Sequence, residues 1–178
     1  MLNPQDAVLV IIDIQGKLAT LMHEREELFK NASRMIRGAR ALEIPIILTE
    51  QNPEGLGPTV PEIAELMEGK AIGKFAFSCC GEEKFMQALR DTGRRQVLLA
   101  GIETHVCVYQ TAADLLAAGY EVHVVSDAVS SRTFANKHLG LMKMKDLGAC
   151  VTGMEMALFE MLKVARGDKF KQIIKIVK

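Results

Sequence analysis

Six consecutive apolar residues closed by an acid, AVLVIID at positions 7–13, constrain this chain more than any other feature. A run so short, rich in Val and Ile and without polar alternation, fits a strand covered on both faces rather than one with a wet side. Similar stretches return as IPIILTE (44–50), QVLLAGI (96–102) and EVHVVSD (121–127), with a shorter extended piece in AIGKFAF (71–77). Helix-length segments separate them at 24–43, 81–93, 104–119 and 134–149, and CVTGMEMALFEMLK reads as a brief strand followed by a helix. Strands alternating with helices imply right-handed crossovers, hence a parallel sheet with helices on both faces. Residues 52–62, NPEGLGPTVPE, read as a long loop broken by three prolines and two glycines. The tail KFKQIIKIVK fits either a helix or an edge strand.

Composition removes several classes of function. At 178 residues the chain has the length of one domain, spanning 1–178. Lys+Arg and Asp+Glu both number 22, which offers no basic footprint for nucleic acid and no signal for an anionic membrane. No apolar run approaches the roughly 20 residues of a membrane span. The run AVLVII, preceded by NPQD, does not resemble a signal peptide, so the cytosol is the default localisation. The four cysteines, Cys79, Cys80, Cys107 and Cys150, form no C-x-x-C pair and fit a reducing compartment. The chain reads DIQGKLATL after its first strand, without the glycine-rich fingerprint of a dinucleotide site, and no cofactor is expected. Ten methionines read as core filling.

In parallel sheets of this kind, ligands sit beyond the carboxyl ends of the strands. Asp13 ends the first strand there. It reads either as a turn-forming residue or as a carboxylate delivered to a buried rim, where it would need a partner. An extended DIQ would set Asp13 and Gln15 on one side. Lys74, in GKFAFSCC, follows a glycine and lies between apolar residues, a setting that favours pairing with an anion over the usual solvated surface. Cys107 falls at the third helical position if Thr104 is the N-cap. Unpaired N–H groups and the positive end of the helix would there favour a thiolate, against the commoner fate of a free cysteine as a small apolar residue. A nucleophile, a proton acceptor and a cation complement one another chemically.

With those residues in view, the chain resembles the isochorismatase-like cysteine hydrolase superfamily, in particular the small isochorismatase-domain proteins, over about residues 6–160. VLVIIDIQ is similar to the family's opening strand, AIGKFAFS to its lysine loop, and LLAGIETHVCVYQTAADLLAAGYEVHVVSDAVSSR to its cysteine-bearing helix and following strand. The resemblance implies a three-layer α/β/α fold with about six mostly parallel strands in the Rossmann-like order 3-2-1-4-5-6. It also implies a catalytic triad of Asp13, Lys74 and Cys107, and a cis peptide between Ile102 and Glu103 that would turn the Glu103 N–H beside that of Cys107 as an oxyanion hole. Gln15, Gln51, Phe75 and Phe77 are candidate pocket residues. Homo-oligomers are implied too, with residues 165–178 a candidate contact.

The chain departs from its nicotinamidase cousins. They carry a D-x-H metal motif after the second strand, whereas this chain reads TEQNPEGLG, without histidine. His23, His105, His123 and His138 are scattered without ligand spacing, so no metal site is expected, and His105 reads as a supporting or interface residue. Relatives that cleave a vinyl ether lack the nucleophilic cysteine, and its presence here turns the expectation toward carbonyl chemistry. The leading expectation is a metal-independent cysteine hydrolase of a small amide or related acyl substrate, acting through a Cys107 thioester. The competing one is an oligomeric binding or redox-sensing protein with a vestigial triad; a vinyl-ether hydrolase comes third.

Overall fold

The computed structural model describes residues 1–178, and the AVLVII stretch lies at its centre. Strand β1 (Ala7–Ile12) is buried at every position. Its side chains alternate between two cores: Ala7, Leu9 and Ile11 enter one, and Val8, Val10 and Ile12 the other. Each Val, Leu or Ile so buried contributes about 1.5–3 kcal/mol, which pins the strand in the middle of the molecule.

Around it, β2 (Ile46–Gln51), β3 (Ile72–Lys74), β4 (Gln96–Ile102), β5 (Glu121–Ser130) and β6 (Cys150–Thr152) complete a six-stranded sheet in the order β3-β2-β1-β4-β5-β6. Every pairing is parallel. The two faces are covered by different helices. One core takes Leu28, Met35 and Ile36 of α2 (Arg25–Ala41), Leu158 of α8 (Met154–Leu162) and Ile173 of α9 (Gly167–Val177). The other takes Phe85 and Leu89 of α5 (Glu83–Asp91), Ala112 and Leu115 of α6 (Tyr109–Ala117), and Met144 of α7 (Phe134–Asp146). This is the three-layer α/β/α architecture, with the strand order, that the sequence led us to expect.

One local reading left open is settled, and three need correction. The tail is helical: Ile173, Ile176 and Val177 recur at helical spacing and pack into the α2 side of the core. The 52–62 stretch is not one loop. It holds two single-turn helices, α3 (Pro53–Leu56) and α4 (Pro61–Ala64), each begun by a proline whose fixed φ suits a first helical position. Strand β5 runs to Ser130, three residues past the apolar reading, because its pairing with β4 slips between Leu99 and Gly101 and then resumes with Ile102 opposite Ser130. The helix after β4 begins with one turn of π-helix, Thr104–Val108, in which the Val108 N–H reaches the Glu103 carbonyl at 3.2 Å. Thr104 is therefore inside the turn and does not cap it, and its hydroxyl is buried without a partner.

Candidate active site

Four segments meet at the carboxyl edge of the sheet: the ends of β1, β2 and β4, and the loop after β3. The register sets them side by side. Ile12, the last residue of β1, lies opposite Thr49 on one flank and Gly101 on the other, while Gln51 lies opposite Lys74. Gly101 is required: its φ is +127°, and a Cβ there would come within 2.0 Å of the Ile12 carbonyl oxygen. The close approach of β1 and β4 draws the residues after each strand toward a common space.

Asp13 does not continue β1. Its φ of 53° is left-handed, a conformation Asp tolerates better than most residues, so the chain turns sharply as it leaves the sheet. The extended DIQ of the sequence reading is thereby overturned, although Asp13 and Gln15 still line one cavity. The carboxylate is buried and fully engaged. Oδ1 accepts from the Thr49 hydroxyl at 2.8 Å, and Oδ2 accepts from Lys74 Nζ at 2.7 Å.

Lys74 is 1% exposed. A buried ammonium is tolerated only when it is paired and hydrogen-bonded. Besides Asp13 it donates to Gln51 Oε1 at 2.7 Å and to the Phe77 and Ala76 carbonyls at 3.0 and 3.2 Å. Those carbonyls belong to the segment just past β3, so the loop folds back over its own lysine.

Cys107, on the π turn, opens onto the same cavity as Asp13. Its thiol is not the low-pKa thiolate that a helix N-terminus alone would favour. Burial and then the Asp13 charge push it up to about 12, against the opposing influence of Lys74. Behind it, Cys79 is fully buried, with its sulfur 3.8 Å from the Thr49 hydroxyl, and burial raises its thiol to about 11.

The cavity is small, about 110 Å³, room for roughly three or four waters. Asp13, Glu103, Cys107 and the two glutamines line it, with Leu18, Leu56, Phe77, Ile102 and Val106 as its apolar wall. The peptide joining Ile102 to Glu103 is cis. Gln15 is spent on architecture. Its carbonyl accepts from the Gln51 N–H at 2.7 Å, and its amide donates to the Gln51 and Gly57 carbonyls at 3.0 and 2.7 Å. Gln51 is likewise occupied, by Lys74 and by the Phe75 carbonyl, to which it donates at 2.7 Å. Phe77, 55% exposed, sits at the mouth, but the Phe75 side chain is 79% exposed and takes no part in the wall, contrary to expectation. The segment past β3 has left the sheet, and strand alternation no longer says which side chain turns inward.

Three features escaped the sequence reading. Thr49, second supporter of Asp13, was hidden inside an apolar strand. The apolar wall draws Leu18 from α1 (Gly16–Thr20) and Leu56 from α3 (Pro53–Leu56), the helices that follow β1 and β2. Glu103, 8% exposed, belongs to the cavity wall, and its Oε2 accepts from the Arg132 N–H and Nε at 3.0 and 3.2 Å. His105 reaches the Ser131 hydroxyl at 3.0 Å and does not line the cavity. No three His, Cys, Asp or Glu side chains converge as a metal-ligand group. A larger open groove of about 650 Å³, between α2, α9 and the Pro61–Ala64 helix, contains none of the strand-end residues.

Comparison with known proteins agrees with this fold. The family model described as Isochorismatase domain matches residues 7–156. An isochorismatase domain-containing protein 2 of Xenopus laevis is 39% identical, covering 99% of this chain and 85% of its own length. The MAR1 ribonuclease of Caenorhabditis elegans superposes with a TM-score of 0.92 at 38% identity, over 99% of this chain and 91% of its own. YcaC of Pseudomonas aeruginosa, solved with hexane-2,5-diol and covalent acrylamide, gives a TM-score of 0.92 at 27% identity, over 98% of this chain and 90% of its own. The Escherichia coli YcaC, an octameric hydrolase of unknown specificity, gives 0.93 at 26% identity, over 98% and 88%.

Proposed function

The chain belongs to the isochorismatase family, and on that footing we propose that it is a metal-independent cysteine hydrolase of a small amide or related acyl substrate. One observation carries the reading: a sulfur and a carboxylate share one small cavity, and a fully buried lysine holds the carboxylate at 2.7 Å.

In this mechanism Asp13 takes the Cys107 proton as the sulfur attacks the substrate carbonyl. The backbone N–H groups of Glu103 and Cys107 receive the oxyanion, for which each such donor is typically worth about 3–4 kcal/mol. Asp13 then returns the proton to the leaving amine, the C–N bond breaks, and a Cys107 thioester remains. Asp13 next deprotonates a water that attacks the thioester, and the sulfur leaves and recovers its proton. Lys74 fixes Asp13 throughout. Its four acceptors allow it no other position, and all of them are supplied by the chain itself. The thiol's resting protonation suits this order of events, because the nucleophile forms only as Asp13 receives its proton.

The P. aeruginosa YcaC carries covalent acrylamide, which nucleophiles such as thiols attack at its alkene carbon, so that adduct speaks for a nucleophile in that protein and not for amide cleavage. The name of the C. elegans relative raises a second reading, RNA cleavage. The cavity argues against it: two carboxylates and no cation line the wall, a poor seat for a polyanion. Homo-oligomerisation is part of the proposal. Phe75, Phe134, Leu139 and Met142 are large apolar side chains at least half exposed, as an interface between copies would require, and the E. coli YcaC is octameric. Four unpaired thiols suit a reducing compartment such as the cytosol.

The test is turnover of a panel of small amides, carbamoyl compounds and vinyl ethers by wild type and Cys107→Ala, with intact-mass detection of the acyl-enzyme. We expect product release that depends on Cys107 and a trapped adduct on that residue. Full turnover by Cys107→Ala would remove covalent catalysis from the account.

A further inference from the structure

Deepening the hydrolase reading, and resting on it, we infer that the side chain of Glu103 sets the substrate's charge class: a neutral or cationic amide whose N–H groups meet the Glu103 carboxylate, not an anion. The cavity wall is acidic. Of its ten residues, two are carboxylates, Asp13 and Glu103, and none is a cation. The two carboxylates are not equivalent. Both Asp13 oxygens are taken, by Thr49 and Lys74. Glu103 is 92% buried, and Oε2 alone accepts the two hydrogen bonds that Arg132 donates, so Oε1 remains open to a ligand.

The two nearby cations do not offset this. Lys74 lies behind Asp13 with four acceptors of its own and contributes nothing to the wall. Arg132 holds Glu103 from outside the wall, and its side chain is 57% exposed. Of the Glu103–Arg132 pair, the acid is the wall residue and the cation lies outside the wall, so the cavity borders the negative member. The remaining polar wall groups, the amides of Gln15 and Gln51, are tied to the chain. Beside Asp13, which serves the reacting nitrogen, Glu103 Oε1 accepts no hydrogen bond from the chain and would recognise an amide N–H, an ammonium or a guanidinium. An anion placed there would meet a like charge in a partly dry site, where Coulomb repulsion is strong. Sequence alone conceals the arrangement, because Arg132 comes alongside Glu103 only through the slipped register that carries β5 to Ser130.

Iodoacetamide and iodoacetate form a probe pair of nearly equal shape, one ending in a neutral primary amide and the other in a carboxylate. Second-order rates of Cys107 alkylation are followed by peptide mass for both reagents, and their ratio is compared with that of a small free thiol in the same buffer. The ratio cancels any change in thiol ionisation. We expect Cys107 to favour iodoacetamide by about tenfold or more beyond the free thiol, and Glu103→Gln to bring the ratio most of the way back. Arg132→Gln, which removes the counter-charge from outside the wall, should raise the wild-type ratio, and it serves if the Glu103 variant does not fold. A wild-type ratio equal to the free thiol's, or one unmoved by Glu103→Gln, overturns the inference. Alkylation is read without turnover, so the two failures separate. Loss of charge preference with Cys107-dependent hydrolysis intact removes only the substrate class, whereas hydrolysis independent of Cys107 removes the hydrolase reading.

Discussion

Replacing Lys74 with Met keeps most of the buried stem and deletes its charge and its donors, and the structure sets what that costs. Nζ has four acceptors: Asp13 Oδ2, Gln51 Oε1 and the carbonyls of Ala76 and Phe77. In Lys74→Met the Asp13 side chain keeps only the Thr49 hydroxyl, so a buried carboxylate loses its counter-charge. Breaking a buried pair in this way typically costs about 3–5 kcal/mol. The reverse change, Asp13→Asn, is milder: Lys74 retains three neutral acceptors, and about 1–3 kcal/mol is the expected loss. Removing both charges together spares the double variant the uncompensated ion, so its loss should fall short of the sum of the singles by about 2 kcal/mol. Urea unfolding at pH 7, at one fixed protein concentration, gives the three values. A melt should place Lys74→Met about 10 °C below wild type, since 1 kcal/mol moves a domain of this size by roughly 2–4 °C. A Lys74→Met penalty below about 1 kcal/mol, or losses that simply add to within about 0.5 kcal/mol, would refute the view that this pair is the strained, mutually dependent centre of the site.

Thr49→Val removes the other donor to Asp13 while keeping the strand's shape; a loss of about 1–3 kcal/mol in urea unfolding is expected, with slower turnover. At Gly140, on α7, an added Cβ would lie 2.8 Å from the Thr104 carbonyl oxygen and 2.9 Å from the His105 nitrogen, so Gly140→Ala should push α7 from the turn that carries Cys107. Overpacking of this kind costs about 1–3 kcal/mol, readable as a lowered urea midpoint. Stability should also fall on the alkaline side. The Cys79 and Cys107 thiols are raised to about 11 and about 12 in the fold, so above pH ~9 the unfolded chain holds fewer protons than the folded one, and the free energy of unfolding falls as pH rises. That contribution is whole below pH ~9 and lost toward pH 11–12. Cys107→Ser should flatten the decline by up to about 1.4 kcal/mol per pH unit, and an ultraviolet thiolate signal lost in that variant should appear only above about pH 10.

What could be read from the sequence, and what could not, divides along a physical line. The central strands announced themselves because burial on both faces leaves no polar position in β1 and only Gln96, at the entry, in β4. The residues Asp13, Lys74 and Cys107 were legible as candidates because each broke a local expectation: an acid after an apolar run, a lysine among apolar neighbours, a thiol where a chain leaves a sheet for a helix. Their surroundings were not legible. The left-handed turn at Asp13, the π turn under Cys107 and the slipped β5 register are single-residue events that carry no period. The outward turn of Phe75 and the place of Glu103 in the cavity wall depend on chain that has just left the sheet. The ionisation of Cys107 was misread for the same reason. A helix terminus was counted as if it stood in water, whereas burial and a neighbouring carboxylate outweigh it.

That reversal makes the proposed chemistry more coherent. In a dry cavity the costly event is a change in net charge, because an unpaired ion forfeits several kcal/mol of solvation. At rest the three groups sum to zero: a carboxylate, an ammonium and a neutral thiol. When Asp13 takes the Cys107 proton the sum is still zero, with the negative charge now on sulfur and the ammonium still beside the group that gave it up. Losing the same proton to bulk water would leave two negative charges against one positive, which is why free ionisation is pushed up to about 12 while transfer within the cluster remains open. The same constraint reaches the substrate. A neutral amide enters without altering the sum, and its oxyanion is met by backbone dipoles rather than by a new ion. A carboxylate substrate would add a charge that no cation on the wall can balance, beside Glu103 Oε1, and so the conservation that lets a protonated thiol act as a nucleophile also favours the uncharged amide as its partner.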